Sequence, residues 1–453
     1  MRRAVAALRP PQGWWQPPPA FFFRMRPFRR RVVALYVSLW TAPGRERLRI
    51  GACKRIPRIL FCLASLSRRT LARKARVVAV VGSFGKTTTA RAVSAALGFP
   101  NSSHAGWNTG GALADAVLRI RPGSPHAVME VGIDGKGQME GFARLIRPNI
   151  AVVTSIGSEH HTSLGTLEVT RAEKAKMVHA LPLSGLAVLN GDDPNVLWMR
   201  DCTRAPVLTY GFGEANQVRA TEVVQDELSG VRFMLHIEGE VHDVRTRLIG
   251  RHNIYPVLAA VAVSRAAGGR IEQILAALEE LEPTRNRLEP IRHASGAVLL
   301  LDAYKGALET IEAALDTLAK LHAERKIVVL GEVEEPPGSQ GPIYRDLGEH
   351  VAEVASRVIF VGGEKSFERL KAGTTARGLP RDALTNIRMN PLEAAHALEA
   401  DLRCGDLVLV KGRSTQHLER IALVLQGKKV GCTTRFCPRH HDCATCPLLQ
   451  LAI

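Results

Sequence analysis

The turn Gly82-Ser83-Phe84-Gly85, followed by Lys86-Thr87-Thr88, is the part of this chain best suited to hold a phosphate. Backbone N–H groups at a helix start can cradle phosphate oxygens. A lysine there neutralises β/γ charge, and the next hydroxyl reaches Mg²⁺. The longer nucleotide-loop motif asks for glycine at position 80, which is Val80 here, so only the shorter form Gly82–Thr87 is met. A second chemical cluster closes the chain: Cys432, Cys437, Cys443 and Cys446, with His440 and His441 between them. The spacing C-x4-C-x5-C-x2-C suits a tetrahedral zinc site, and the prolines after Cys437 and Cys446 also suit an iron–sulfur cluster. Unligated or redox-paired thiols are the third reading. Cys53, Cys62, Cys202 and Cys404 are scattered and read as buried thiols of a reducing cytoplasm.

The elements that must position these groups are legible as a pattern. From Arg76 onward, Val/Ile-rich runs such as VVAVVG, NIAVVTSIG, KIVVLGEV and DLVLVKG alternate with Ala/Leu/Glu-rich segments. Such alternation implies parallel sheets covered by helices on both faces, an α/β fold. Residues 217–253 alternate like an antiparallel insert, a helical stretch runs from Ile254 to about Leu281, and Glu282–Arg287 reads as a hinge. The expected organisation is a basic segment at 1–75, a nucleotide-binding sheet domain at 76–283, a second Rossmann-like α/β domain at 284–427 and a Cys-rich tail at 428–453.

Charge is placed unevenly. Residues 1–76 hold 19 Lys/Arg and one acid, Glu46, whereas the rest of the chain is neutral, so the net +18 lies in the first segment. Trp14, Trp15, Phe21, Phe22, Phe23 and Trp40 are interleaved with those bases, as in segments that lie on membrane surfaces. The longest apolar run there, Val32–Trp40, is too short to span a bilayer, and a signal peptide fits poorly. A Pro/Arg-rich extension beside the folded body and a surface docking on anionic membrane are both open. No recognition motif supports nucleic acid.

The ordered blocks resemble the Mur ligases, the ATP-dependent amide-forming enzymes of peptidoglycan assembly. GSFGKTTT is similar to their nucleotide loop, VMEVGIDGKGQM to their acidic strand end, and PNIAVVTSIGSEHHTSLGTLEVTRAEKAKMV to their metal-site block. LAVLNGDDPNV, LIGRHNIYPVLAAVAV, NRLEP, LLDAYKGALETIEAALDTLA and GDLVLVKG follow in register, so the resemblance spans roughly 76–425. The nearest branch joins a D-alanyl-D-alanine dipeptide to a muramyl peptide. The resemblance implies a cytoplasmic enzyme, at the inner membrane face if the basic segment docks there. Its substrates would be ATP, a carboxylate and an amine, with Mg²⁺ as cofactor and an acyl phosphate as intermediate.

By the same resemblance, Gly82, Ser83, Gly85, Lys86, Thr87 and Thr88 bind phosphate, and Thr87 and Glu130 hold Mg²⁺. His160 ligates a second Mg²⁺ beside a carbamylated Lys174. Asn253 seats adenine, Asp302 binds ribose and Arg287 meets the transferring phosphate. Departures concern the substrate: Tyr304-Lys305-Gly306-Ala307 replaces the branch's usual Tyr-Asn-Ala-Asn, Gln138 replaces an acid, and Arg413-Ser414 inverts the usual order. Residues 1–75 also lack the strand–helix alternation of the family's sugar-binding domain. Ligation of another carboxylate, a plain nucleotide-loop ATPase or kinase, and a non-catalytic scaffold are the competing expectations.

Overall fold

The computed structural model describes residues 57–99, 110–438, 442–446 and 448–450. The basic stretch before Pro57, with Cys53, and the pair His440 and His441 lie outside the described residues. The described residues all belong to one compact unit.

Two sheets organise that unit. The first has the order β2-β1-β3-β4-β5-β6-β7-β8, with β1 Arg76–Val81, β2 His126–Glu130, β3 Ile150–Val153, β4 Leu186–Asn190, β5 Val207–Gly211, β6 Val218–Asp226, β7 Gly230–Ile237 and β8 Glu240–Thr246. The strands through β6 pair in parallel, and β6, β7 and β8 turn antiparallel. The alternating stretch expected as an insert is therefore the antiparallel edge of the same sheet. The second sheet has the order β13-β12-β11-β14-β10-β9, with β9 Glu289–Arg292, β10 Val298–Asp302, β11 Arg325–Gly331, β12 Arg357–Val361, β13 Leu384–Asn386 and β14 Asp406–Lys411. It is parallel except for β9 against β10.

Strand β1 is buried along Val77–Val81 because helices cover both faces of the sheet. On one face, α1 Pro57–Arg69 lies against α2 Gly110–Leu118 and α3 Gln138–Ile146, placing Ala64, Leu113 and Phe142 in one core. On the other face, Lys86–Ala96 (α4) is flanked by Ile254–Ala266 (α5), whose side chains from Ile254 to Ser264 are nearly all buried. The expected single helix over 254–281 is two, because Gly268 at φ +90° ends the first and Ile271–Glu279 forms the second.

Residues 57–75, grouped with the basic segment by composition, are tied to this body. Arg68 is buried and donates Nε to Ile146 O at 2.7 Å and Nη1 to Ala72 O at 2.6 Å. All three described scattered thiols depart from expectation: Cys62 and Cys404 are exposed and Cys202 is only half-buried. Cys62 sits on the outward face of α1, and Cys404 in the turn before β14, where no core surrounds them. Among the described residues, no helix is long and apolar enough to cross a membrane.

Candidate functional site

The loop 82–85 joins the end of β1 to the first turn of α4. It runs against the segment after β3. Ser83 N donates to Ser155 O, Thr154 Oγ1 to Phe84 O at 2.6 Å, and Gly157 N to Ser83 Oγ at 2.9 Å. Gly82 is required by this approach: a Cβ there would lie 1.9 Å from Thr154 Oγ1, on a backbone with φ +147°.

Lys86 is buried and curls back over the loop, donating to Gly82 O at 2.8 Å, Ser83 O at 2.7 Å and Glu159 Oε2 at 2.9 Å. Thr87 Oγ1 donates to Glu130 Oε2 at 2.9 Å, so a hydroxyl and a carboxylate from the ends of α4 and β2 share one place. Hard oxygen donors in that arrangement suit Mg²⁺. Thr88 turns away, its hydroxyl 3.3 Å from that of Thr284.

A carboxylate not singled out by the sequence organises the centre. Glu159 is buried, 2.9 Å from Lys86, 2.5 Å from Lys305, 3.8 Å from Lys174 and 3.9 Å from His160 Nε2. Burial would raise its pKa, but Lys86, then Lys305 and Lys174, together hold it well below the carboxylate range. The Glu159-His160-His161 run after a buried strand was the available signal.

His160 has φ +60° and begins the short helix His161–Leu164. Burial lowers its pKa more than Glu159 raises it, so the ring favours the neutral, ligand-competent form. Leu167–His179 (α6) carries Lys174 inward, 1% exposed, where Nζ donates to Ser83 Oγ at 2.9 Å. Burial foremost, and then Lys86, push the Lys174 ammonium down to about 7, against the opposing pull of Glu159. Its neighbour Lys176 points outward to Glu173.

The second sheet contributes Lys305 from the loop after β10. Helix α7, Leu308–Lys320, adds Glu309, which accepts from Ser158 N at 2.8 Å and Ser158 Oγ at 2.7 Å. Asp302 accepts from the buried Lys411 at 2.7 Å. Arg287 stacks 4.1 Å over Tyr304, and its buried Nη1 has no hydrogen-bond partner. Asn253 donates Nδ2 to Ile249 O at 2.7 Å in the turn before α5. Gln138 is engaged locally with Asp134.

Thus Ser83, Lys86, Glu159, His160, Lys174 and Lys305 converge, and Thr87 with Glu130 adjoins the loop. Arg287 adjoins that cluster through Tyr304 and acts electrostatically on Lys305, whereas the hydrogen bonds of Asn253 and Asp302 run to Ile249 and Lys411. The four tail cysteines do not assemble as a ligand set. Among the described residues, the one metal-competent group with ligand atoms within 4.8 Å of one another is His417, Glu419 and Cys443, so only one of the four thiols takes part.

Residues 80–264 match the Mur ligase middle domain and residues 286–414 the Mur ligase glutamate ligase domain. The UDP-N-acetylmuramoyl-tripeptide–D-alanyl-D-alanine ligase of Mycobacterium bovis is 30% identical over 387 residues, covering 80% of this chain and 76% of that protein. The enzyme of the same name from Bacillus subtilis is 28% identical, covering 76% of this chain and 75% of its own length. Among solved structures, MurF from Acinetobacter baumannii superposes with a TM-score of 0.72 at 24% identity, covering 82% of this chain and 80% of that one. MurF from Thermotoga maritima in complex with ADP superposes with a TM-score of 0.71 at 20% identity, covering 82% and 84%.

Proposed function

The chain belongs to the Mur ligase family and is a MurF-like, ATP-dependent carbon–nitrogen ligase, and from that premise we propose that it joins D-alanyl-D-alanine to a UDP-muramyl tripeptide. The reading rests on one observation above the others: a buried lysine, Lys174, hydrogen-bonded to the phosphate loop and facing Glu159, Lys86 and Lys305.

In this reading the substrate carboxylate attacks the γ-phosphorus of ATP and ADP leaves. The amine then attacks the acyl carbon, and phosphate departs with one of the carboxylate oxygens. Mg²⁺ held by Thr87 and Glu130 would supply neutralisation of phosphate charge. Lys86 exchanges the loop carbonyls and Glu159 for β/γ-phosphate oxygens, and Arg287, with a buried unpaired N–H, meets the transferring group. Gly82, Ser83, Gly85 and Thr88 shape the phosphate turn, Asn253 faces adenine and Asp302 the ribose. Lys174, neutral to a large extent near pH 7, adds CO₂ to form a carbamate and releases one proton, gaining the anionic oxygens that a metal beside His160 needs.

Lys305 favours a second reading for the carboxylate. Where the MurF branch carries asparagine, this cation reaches Glu159 at 2.5 Å, so the acceptor beside it differs in charge demand from the usual one. Phosphate release across a panel of carboxylates and amines separates the two. Release dependent on both UDP-muramyl tripeptide and D-Ala-D-Ala supports the first, and release only with another pair replaces it.

The basic segment belongs to this proposal as a peripheral anchor at the inner membrane face. The helix that follows it, α1, exposes Ile59, Leu63 and Leu66 at helical spacing, a face that fits the interface of an anionic bilayer.

A further inference from the structure

Ligation leaves one buried cluster unused, in the segment that follows β14. The chain there turns through His417, at φ +52°, into Glu419–Leu425 (α8), and the tail folds back over it. Cys437 N donates to Thr415 O at 3.0 Å, and Arg420 Nη1 to Thr434 O at 2.6 Å. Gly431 N and Cys432 N both donate to Leu449 O. The apolar core of this tail is small, with Leu423, Cys443 and Leu449 its buried members. So little apolar area rarely orders a segment by itself, and short modules of this size commonly rely on a metal or a disulfide.

At the seam lie His417, Glu419 and Cys443, each no more than 4% exposed. Their imidazole nitrogen, carboxylate oxygen and sulfur all lie within 4.8 Å of one another. His417 Nε2 is 3.2 Å from Cys437 O, and a backbone carbonyl can only accept, so Nε2 carries its proton. In the neutral ring Nδ1 then holds a lone pair, yet it lies 2.8 Å from Glu419 Oε1, another acceptor. Two acceptors at that distance need either a proton or a bound cation between them.

The surroundings favour the cation. Arg420 Nε donates to Cys443 Sγ at 3.2 Å and Cys443 N donates to Glu419 Oε1 at 3.1 Å, the outer-shell support that ligating sulfur and carboxylate groups receive. Ligands at about 2.0–2.3 Å from a tetrahedral zinc lie roughly 3.3–3.8 Å apart, between the 2.8 Å that separates His417 Nδ1 from Glu419 Oε1 and the 4.8 Å limit of the whole set, so side-chain shifts of about an ångström fit the metal. A cavity about large enough for one water, lined by Asn286, Tyr304, Ser414 and Asp442 together with His417 and Glu419, opens beside it.

We infer that His417 Nδ1, the Glu419 carboxylate and Cys443 Sγ form a mononuclear Zn²⁺ site whose fourth position faces this cavity, stapling the tail to the turn and helix that follow β14. On binding, the Cys443 S–H proton and the proton held between His417 Nδ1 and Glu419 pass to solvent, Zn–S, Zn–N and Zn–O bonds form, and the metal replaces the His417–Glu419 contact. One nitrogen, one oxygen and one sulfur ligand suit a borderline-soft ion, and the set is neither an oxygen cage for Mg²⁺ nor the four thiolates of an iron–sulfur cluster.

The full chain, purified without chelator, is tested by zinc content and by Co²⁺ titration of the metal-depleted protein. One equivalent of metal and a thiolate-to-cobalt charge-transfer band are expected. Both should be lost in Cys443→Ser and in His417→Gln, and retained in Cys432→Ser, Cys437→Ser and Lys86→Ala, with circular dichroism confirming that each variant is folded. The Lys86→Ala arm separates this site from ligation, so either reading can fail without the other. A folded wild-type chain that takes up no zinc and shows no cobalt–thiolate band overturns the proposal in favour of an imidazolium–carboxylate pair. Loss of the band in Cys432→Ser and Cys437→Ser with its persistence in His417→Gln overturns it in favour of a four-cysteine site.

Discussion

At the scale of single residues, the site is a problem in charge placement. Lys86, Lys174 and Lys305 surround one buried carboxylate, Glu159, and the balance among them decides which amine is charged. Lys86→Ala should leave a folded protein whose turnover falls about 10²–10³-fold or more, the scale of a lost transition-state contact, in steady-state phosphate release. Wild-type turnover by that variant would remove Lys86 from the phosphate site. Lys174→Ala should be nearly inactive and partly restored by added short-chain carboxylates, which replace the missing carbamate. The pH dependence follows from sign: Lys174 Nζ is pushed down to about 7, so the neutral amine that attacks CO₂ prevails above that pH and is depleted below it. Activity at limiting bicarbonate should therefore fall as pH drops through about 7, with the charged neighbours Glu159 and Lys305 keeping their states. A bicarbonate-independent rate, unchanged by Lys174→Ala, would contradict the carbamate. Glu159 escaped the sequence reading because the run Glu159-His160-His161 was read for its histidine; only the fold brings Lys86 and Lys305 to the acid from positions 73 and 146 residues away.

At the scale of elements, strand ends do the positioning. The loop after β1, the segment after β3 and the loop after β10 meet because both sheets present the C-terminal ends of parallel strands, where α/β folds place ligands. Gly82 tests how tightly they meet. Gly82→Ala, with its Cβ forced to 1.9 Å from Thr154 Oγ1, should cost about 2 kcal/mol or more of stability, measured by the denaturant midpoint. Gly98→Ala, also at positive φ but with nothing within 4 Å, should cost about 1 kcal/mol. Equal costs would show that the approach of Thr154 does not constrain the turn. The periodicity of Val/Ile runs made these strands legible from sequence, and the glycine–lysine turn was legible between β1 and α4. Less legible was α1: Arg68 reads as one more base in a basic stretch, and only its carbonyl partners at Ile146 and Ala72 reveal a buried anchor. The spacing of the tail cysteines suggested one ligand set, whereas the chain reversal at 415–437 brings Cys443 to His417 and Glu419 instead.

At the scale of the whole molecule, a charge-neutral body from residue 77 onward follows a segment carrying the entire excess of +18. Juxtamembrane bases contribute about 1 kcal/mol each near an anionic surface, and this attraction is screened by salt. The full chain should sediment with vesicles containing anionic lipid at low salt, and release as salt rises or when zwitterionic lipid replaces the anionic. Equal binding to both vesicle types would contradict an electrostatic anchor. The second lobe meets the first through Lys305–Glu159 and Glu309–Ser158, so the reacting groups belong to both sheets and neither lobe holds the site alone. In the proposed ligation, an oxygen of the substrate carboxylate is transferred to the γ-phosphate. The most direct measurement supplies UDP-muramyl tripeptide labelled with ¹⁸O in its reacting carboxylate, together with ATP, Mg²⁺ and D-Ala-D-Ala, and follows the label by mass spectrometry. The account predicts one labelled oxygen in each phosphate released, one new amide per ADP formed, and neither product with Lys86→Ala. Unlabelled phosphate released at the wild-type rate without amide would contradict it and leave a nucleotide-hydrolysing enzyme in its place.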